Sequence, residues 1–243
     1  MKKNRSQTRD VILSTISILC LILIWFLVSG SRPDFFPTPM ATIERFIRLV
    51  EKPIMGVSIL GHILASLRRV LFALIASILL GVTIGLVMGW NKKIRAAINP
   101  ILMALRPIPP IAWIPLIILM FGVDEFPKIL LVFIGSFFPI VMNTMSGVSM
   151  VDDMYLKVGK IYKANTWQTL RHIVFPAAMP TILAGIKIAI SSGWMVVVAA
   201  EMLASKSGLG FLINRGRDSY DVALIMVAMI LIGVVGALLS AVF

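Results

Sequence analysis

The stretch DDMYLKVGKIYKANTWQTLRHIVFPAAMP, residues 152–180, decides how the rest of the chain is arranged. It is the longest segment whose composition suits water, and apolar runs of membrane-spanning length lie on both sides of it. Asp152 or Asp153 can cap a first helix. Asn165 and Gln168, three residues apart, have the pattern of a capping box that opens a second helix. The stretch therefore predicts two short helices joined by a capped turn.

The first of these helices is predicted to have an apolar side and a basic side. Its apolar residues are Met154, Val158 and Ile161, and its basic residues are Lys157, Lys160 and Lys163. The second helix is predicted over 166–174, with Pro176 and Pro180 bracketing the entry into the next apolar run. A paired-helix loop presents a knob, whereas an ordinary connecting loop needs no such pair. We expect a soluble partner to bind this loop from the cytoplasm.

Composition places the chain among the membrane proteins. Of its 243 residues, 59% are hydrophobic and only 14% are charged, which is too little polar surface for a soluble domain of this length. The net charge of +12 lies in short Lys and Arg clusters between apolar runs, a pattern of topology signals, so we expect a lipid bilayer and no nucleic acid as partner. Cys20 is the only cysteine and His62 and His172 are far apart, which argues against disulfides and metal sites.

Six apolar segments predict an all-α polytopic membrane protein with about six transmembrane helices. They are 11–30, 70–90, 98–122, 129–149, 181–201 and 222–243. The basic residues of the N-terminus (1–10) and the 152–180 loop place both termini inside, although Lys and Arg are only slightly more numerous on the inner side. The chain stops at Phe243 without a polar tail, as expected of an incomplete sequence.

Residues 1–65 are predicted to form three parts. Residues 1–10 form the cytoplasmic N-terminus and 11–30 the first span, although Val28-Ser29-Gly30 leaves a cleaved signal peptide as the rival interpretation. Residues 31–65 form an external segment with an amphipathic helix, which either lies on the outer membrane surface or packs on the bundle. Its apolar positions are Ile43, Phe46, Ile47 and Val50. Residues 66–243 then form a core with five further spans.

Two of these spans have distinctive compositions. The second span, which starts at Val70 or nearer Leu60, has small residues every four positions, a stripe that lets another helix approach closely. These are Gly81, Gly85 and Gly89. The third segment carries four prolines that break the backbone: Pro107, Pro109, Pro110 and Pro115. It is either a broken span lining the bundle interior or a loop that leads into a helix starting near Ile111.

Polar residues inside the spans are the candidates for a solute pathway. On the fifth span Lys187, Ser191, Trp194, Val198 and Glu201 lie on one helical stripe, with Trp194 near the middle as a candidate gate. The opposing interpretation is that both charged side chains reach opposite membrane interfaces while Trp194 packs. On the fourth span, Asn143 either bonds a neighbouring helix or contacts the solute.

At the 152–180 loop the chain resembles the permeases of bacterial ABC importers, in which a Glu-Ala-Ala motif is followed by Gly and then by Ile-x-Leu-Pro. Lys157, Val158 and Gly159 stand at the Glu-Ala-Ala positions, and Lys163 stands at the Gly. The end of the motif is formed by Ile173, Phe175 and Pro176. Further blocks resemble the nitrate/sulfonate/taurine branch: LRPIPPIAWIPL (105–116), FFPIVMNTMSGV (137–148), WQTLRHIVFPAAMP (167–180) and WMVVVAAEMLASKSGLGFLI (194–213).

The resemblance implies the type I ABC-importer permease fold in a bacterial inner membrane, with a cytoplasmic coupling helix. It implies three protein partners: cytoplasmic ABC ATPase subunits, an extracytoplasmic solute-binding protein, and a second permease copy in a homodimer or heterodimer. The residues implied to couple to the ATPase are Lys157, Gly159, Tyr162, Lys163, Ala164, Asn165 and Thr166. ATP would bind to the partner, because no GxxxxGK[ST] loop is present, and no cofactor is expected on this chain.

Two other functional classes are less well supported by the sequence. A stand-alone secondary carrier or channel usually has matching broken helices in two repeats, whereas the prolines here cluster in one segment. A membrane-embedded enzyme would need a catalytic constellation, and none can be assembled from the residues. The solute stays open among sulfonates, nitrate, bicarbonate and uncharged heterocycles, with a small anion favoured by the positive charge.

Overall fold

The computed structural model describes residues 2–31 and 36–242 of the chain. Every named element within these residues is helical. In chain order they are α1 (Lys2–Ser31), α2 (Pro39–Glu51), α3 (Ile59–Trp90), α4 (Lys92–Leu105), a 3₁₀ turn (Pro110–Trp113), α5 (Ile114–Phe121), α6 (Glu125–Ser149), α7 (Asp153–Ile161), α8 (Thr166–Thr169), a π-helical turn (Leu170–Val174), α9 (Phe175–Ala204), α10 (Leu209–Asp218) and α11 (Val222–Val242).

The predicted spans correspond to these helices as follows. Four helices in the described part of the chain are long and apolar enough to cross a membrane: Ile59–Trp90, Glu125–Ser149, Thr166–Leu203 and Val222–Ala241. The pair Lys92–Leu105 and Pro110–Phe121, bent by 84°, counts as a fifth if it is one broken span. The first predicted span coincides with α1, whose apolar part, Thr15–Ser31, falls in the shorter class of 10–17 residues.

The chain divides into two compact units. One consists of residues 1–59 and 212–231. Within it, Thr38 caps α2 by accepting a hydrogen bond from the Ala41 N–H, and Arg45 of α2 forms an ion pair of 2.6 Å with Asp221. The apolar positions predicted for the amphipathic helix, including Ile43 and Val50, stay exposed. The buried residues of α2 are Thr42 and Leu49. Residues 32–35 of the predicted external segment lie outside the described residues.

The other unit consists of residues 60–211 and 232–243, and its core is built from α3, α6 and α9. The predicted glycine stripe on α3 does allow close approach, and the helix that approaches is α6: a Cβ added at Gly81, Gly85 or Gly89 would meet a side chain of that helix. The side chains are those of Ile140, Thr144 and Val148, which also recur every four residues. The α3 helix begins at Ile59, near the earlier of its two predicted starts.

The fifth span differs from its prediction at its start. The helix predicted over 166–174 does not stop before the span but runs into it as one apolar helix, Thr166–Leu203. Pro176 has no N–H to donate and its ring crowds the preceding turn. The turn Leu170–Val174 widens into a π-helix there, and Phe175 donates its N–H to the Leu170 carbonyl. The widened turn carries the chain past the proline without a break.

The third segment and the connection before the sixth span can be compared with their predictions. The third segment contains both predicted features. α4 and the helical stretch Pro110–Phe121 meet at a sharp bend, and α5 begins at Ile114, close to the predicted start. The segment between the fifth and sixth spans, predicted as an external connection, contains the helix Leu209–Asp218. The sixth span begins at Val222 as predicted, and its last residue, Phe243, lies outside the described residues.

Candidate functional site

The 152–180 loop has the first predicted helix, α7, and the predicted capped turn, and its second helix continues into the fifth span. The Asp152 carboxylate accepts a hydrogen bond of 2.8 Å from the Met154 N–H and caps α7. Asn165 accepts one of 2.8 Å from the Gln168 N–H, and the Gln168 side chain accepts one of 2.9 Å from the Asn165 N–H. This reciprocal pair is the predicted capping box. The start of each helix is therefore fixed by local bonds within the loop.

The turn between α7 and α8 depends on Lys163. Its φ is +53°, in the left-handed region that glycine prefers, and it stands where the resemblance places a glycine. The Ala164 N–H then donates to the Gly159 carbonyl at 2.9 Å, which closes the end of α7. Gly159 is buried, and a Cβ at this position would press on the Ile173 side chain. The two helices are thus held together behind the tip of the loop, residues 162–166.

The tip itself is exposed. Tyr162 is 81% exposed and Ile161 77% exposed, far more than a packed loop would allow. Four further predicted coupling residues are exposed and Ala164 is half-buried; the exposed ones are Lys157, Lys163, Asn165 and Thr166. No ion pair involves Lys157, Lys160 or Lys163 among the described residues. The loop therefore presents unpaired positive charge beside large apolar side chains.

A cavity of about 490 Å³ lies beside the tip. Its lining includes three of the predicted coupling residues, Lys157, Ala164 and Thr166, together with Trp90 from the end of α3. Trp90 is 38% exposed and was not among the sequence candidates, because only the fold brings the end of the second span next to the loop. A partner segment inserted here would touch the loop and α3 together, so its movement would reach the spans directly.

The residues of the predicted pathway stripe on α9 differ in burial. Lys187 and Ser191 are exposed, whereas Trp194 is 6% exposed and Glu201 is fully buried. The stripe keeps its direction, but the neighbours of α9 change along its 30 residues. Trp194 is covered by α11, where its indole N–H donates a hydrogen bond of 3.2 Å to the Ile232 carbonyl. Lys187 and Ser191 are therefore the exposed part of the stripe, and its pore-lining role stays a prediction.

Glu201 belongs to a buried polar cluster that the sequence did not predict. Its carboxylate accepts hydrogen bonds from Arg69 at 2.7 Å, from Ser66 at 2.9 Å and from the Gly210 N–H at 3.0 Å. Arg69 also donates two bonds, of 2.7 and 2.8 Å, to Glu125 at the start of α6. The Glu201 carboxylate is fully buried among these partners, and its role in a pathway stays a prediction.

The same cluster fixes the turn between α9 and α10. The Gly208 N–H donates to His62 Nδ1 at 3.1 Å and the Leu209 N–H donates to Ser66 Oγ at 3.0 Å. Arg69 donates to the Ser207 carbonyl at 2.9 Å. The first N–H groups of a helix need such acceptors when they are buried. The cluster therefore joins α3, α6, α9 and the start of α10, and its role is positional.

Asn143 lies beside a second cavity, of about 280 Å³, in the bend of the broken third segment. The cavity is walled by Arg106, Ile108, Pro110, Ile134, Gly135, Phe138, Pro139, Met142, Asn143 and Ile188. The Asn143 amide donates to the Pro139 carbonyl of its own helix at 2.8 Å. Among the described residues no group of three or more His, Cys, Asp or Glu side chains is placed to hold a metal ion.

Known proteins are similar to this chain in sequence and in fold. The family model described as "Binding-protein-dependent transport system inner membrane component" matches residues 77–243. The chain is 31% identical to the taurine transport system permease protein TauC of Escherichia coli (strain K12), covering 96% of this chain and 86% of that protein. It is 34% identical to the nitrate import permease protein NrtB of Synechocystis sp., covering 95% and 86%.

The fold is similar to a chain of the MetNI methionine ABC transporter in inward-facing conformations, with a TM-score of 0.65 at 16% identity, covering 73% of this chain and 89% of that one. This likeness supports the helical permease architecture. The family match covers most of the chain, and two curated permeases align with nearly all of it. The chain belongs to the binding-protein-dependent transport system inner membrane components, the multi-pass permeases of ABC transporters.

Proposed function

We propose that this chain couples a separate cytoplasmic ATPase to solute import through the tip of the 152–180 loop. The observation that carries the proposal is the loop's construction. Two short helices are capped internally and closed behind the tip, while Tyr162 is left 81% exposed. A rigid knob transmits the motion of a docked partner, whereas a flexible loop would absorb it. The contact residues are Lys157, Gly159, Tyr162, Lys163, Ala164, Asn165 and Thr166.

The chain works as a non-catalytic subunit with three kinds of protein partner. Two copies, or this chain and a related one, form the membrane pathway in a bacterial inner membrane. ATPase subunits bind on the cytoplasmic side, and a solute-binding protein delivers the solute on the other side. ATP binds to the partner subunits, and this chain needs no cofactor of its own.

The solute is a small anion or a zwitterion that carries an anionic group. Relatives named for taurine and nitrate support this class, since sulfonate and nitrate are both compact oxyanions. Among the predicted pathway residues, Asn143 lines a cavity, while Lys187 and Ser191 lie on an exposed part of α9 that the second copy would cover. Trp194 acts through its packing on α11.

The test is co-purification with the ATPase. We expect Ala164→Glu to abolish association and uptake, because the side chain would enter the contact cavity beside Thr166. Ala97→Glu adds the same group at an exposed alanine of α4 and should leave both unchanged. Uptake that needs no ATPase would instead identify a stand-alone carrier or channel. Association and uptake that survive Ala164→Glu would remove the loop from the coupling contact.

A further inference from the structure

The cavity in the bend of the third segment has a single charged group in its wall. Arg106 ends α4, and the bend of 84° that follows turns the chain toward α6. The remaining wall is apolar except for Asn143, and no carboxylate lines it. Within residues 2–31 and 36–242, no hydrogen bond or ion pair engages the Arg106 side chain. The cavity is therefore electropositive and lacks an internal counter-charge.

The backbone of the bend supplies few donors of its own. Pro107, Pro109 and Pro110 have no N–H, and the Ile108 N–H already donates to the Leu105 carbonyl at 3.1 Å. Hydrogen-bond donors for a bound molecule must therefore come from side chains. Arg106 offers a planar set of five N–H groups that fits the oxygens of an oxyanion.

The second donor is the side-chain amide of Asn143. Because its partner, the Pro139 carbonyl, can only accept, the nitrogen is the group that faces it at 2.8 Å. An amide nitrogen carries two hydrogens, so one N–H remains for a ligand. The position of the side chain is fixed by Gly185 of α9, where an added Cβ would meet the Asn143 Cβ. The amide is thus held at the wall of the cavity by two helices.

The size of the cavity restricts what it can hold. Its volume of about 280 Å³ is below the usual range for drug-sized ligands, which begins at about 300 Å³. Gly135 of α6 allows Pro110 to close one side, since an added Cβ would lie 3.4 Å from the proline ring. Phe138 and Ile188 are apolar parts of the wall, and neither competes with the guanidinium for an anion.

We propose that this cavity is a binding site for a compact oxyanion on the solute route, with the Arg106 guanidinium and the Asn143 amide as its donors. The inference rests on the proposed import function and adds a site for that solute and the residues that bind it. A phospholipid headgroup shares the oxyanion chemistry, and added phosphatidylglycerol distinguishes it from a free anion.

The chain has one cysteine, so a cysteine introduced into the cavity wall can be labelled alone once the native one is replaced. We would replace it with Cys20→Ser, introduce Met142→Cys in the cavity wall, and purify the chain with its ATPase in maltoside micelles that contain no phosphate. Labelling rates are compared for the anionic sulfonatoethyl and the cationic trimethylammonioethyl methanethiosulfonates. Ser149→Cys, on the same helix but outside the cavity, is the matched control.

Arg106→Gln should slow the anionic reagent and speed the cationic one, each about threefold to fivefold, at Met142→Cys only. Arg106→Lys should restore most of the preference. Nitrate or taurine should protect Met142→Cys from labelling, and Arg106→Gln should remove that protection. An unchanged reagent preference, or protection by added phosphatidylglycerol but by neither anion, would overturn the proposal. Co-purification of the ATPase in the same samples tests the import function separately.

Discussion

The guanidinium of Arg69 lies 2.7 Å from the carboxylate of Glu201, and neither side chain is more than 2% exposed. The two residues stand 132 positions apart in the chain, on α3 and α9. Buried charges of this kind persist only where each is paired and hydrogen-bonded. Ser66 and the Gly210 N–H also donate hydrogen bonds to Glu201, and Arg69 also donates to Glu125. The pair therefore holds three helices in a fixed arrangement.

We expect Glu201→Gln to destabilise the chain by about 3–5 kcal/mol, because removing one partner leaves a buried guanidinium short of its counter-charge. Thermal unfolding of the purified chain in detergent measures the loss. Asp218→Asn is the control: its pair with Arg217 joins side chains that are 52% and 67% exposed, and such pairs contribute about 0–1 kcal/mol. Equal shifts for the two variants would show that the Arg69–Glu201 pair adds nothing.

Gly208→Ala should also destabilise the chain, through the same carboxylate. Gly208 has a φ of +115°, and an added Cβ would overlap the Glu201 carboxylate. Gly122→Ala is the control for a side chain at positive φ, since its φ is +76° and nothing lies within 4 Å of the added Cβ. We expect Gly208→Ala to lower the unfolding temperature further than Gly122→Ala does. The additional loss should vanish in a Glu201→Ala background, where the overlap is gone.

The sequence predicted those features whose causes are local. The Asn165–Gln168 capping box needs only residues three apart, and it is present as predicted. The stripe of Gly81, Gly85 and Gly89 predicted a close helix neighbour, because the lack of a side chain is visible in the sequence. It did not identify α6 as that neighbour, since the choice depends on how all the helices pack together.

The buried cluster could not be predicted because its members lie far apart in the chain. Arg69 precedes the second span if the span starts at Val70 and lies inside it if the span starts nearer Leu60; α3 begins at Ile59 and includes Arg69. Its pairing with Glu201 buries that carboxylate. The sequence did contain one signal for this pair: Arg69 and Glu201 are oppositely charged residues in largely apolar helices, and such groups usually pair. The sequence contains several such charges and does not show which of them meet.

The packing of Trp194 against α11 should leave no room for a larger residue at Gly236. An added Cβ at Gly236 would lie 2.8 Å from the indole nitrogen, which already donates to the Ile232 carbonyl. We expect Gly236→Ala to destabilise the chain by about 1–3 kcal/mol through overpacking. Gly233→Ala, three residues earlier with nothing within 4 Å, should be neutral or stabilising by up to about 1 kcal/mol. Thermal unfolding distinguishes them, and equal effects would contradict the packing role of Trp194.

Lys163→Gly should stabilise the loop, although it removes a side chain. A non-glycine residue in the left-handed region is strained by about 1–2 kcal/mol, and Lys163 has a φ of +53°. Glycine relieves that strain but makes the unfolded chain more flexible, which offsets up to about 1 kcal/mol. We expect hydrogen exchange of residues 153–165 to slow severalfold, because the bond from Ala164 to the Gly159 carbonyl opens less often.

Lys160→Gly provides the opposite control from the same residue type and charge. Lys160 lies inside α7 with ordinary helical neighbours, so glycine there should weaken the helix by about 1 kcal/mol and speed exchange. If the exchange rate falls in one variant and rises in the other, the difference can come only from the backbone conformation, since both variants lose one exposed positive charge. Faster exchange in both variants would mean that the side chain of Lys163, and not its strained backbone, governs the stability of the turn.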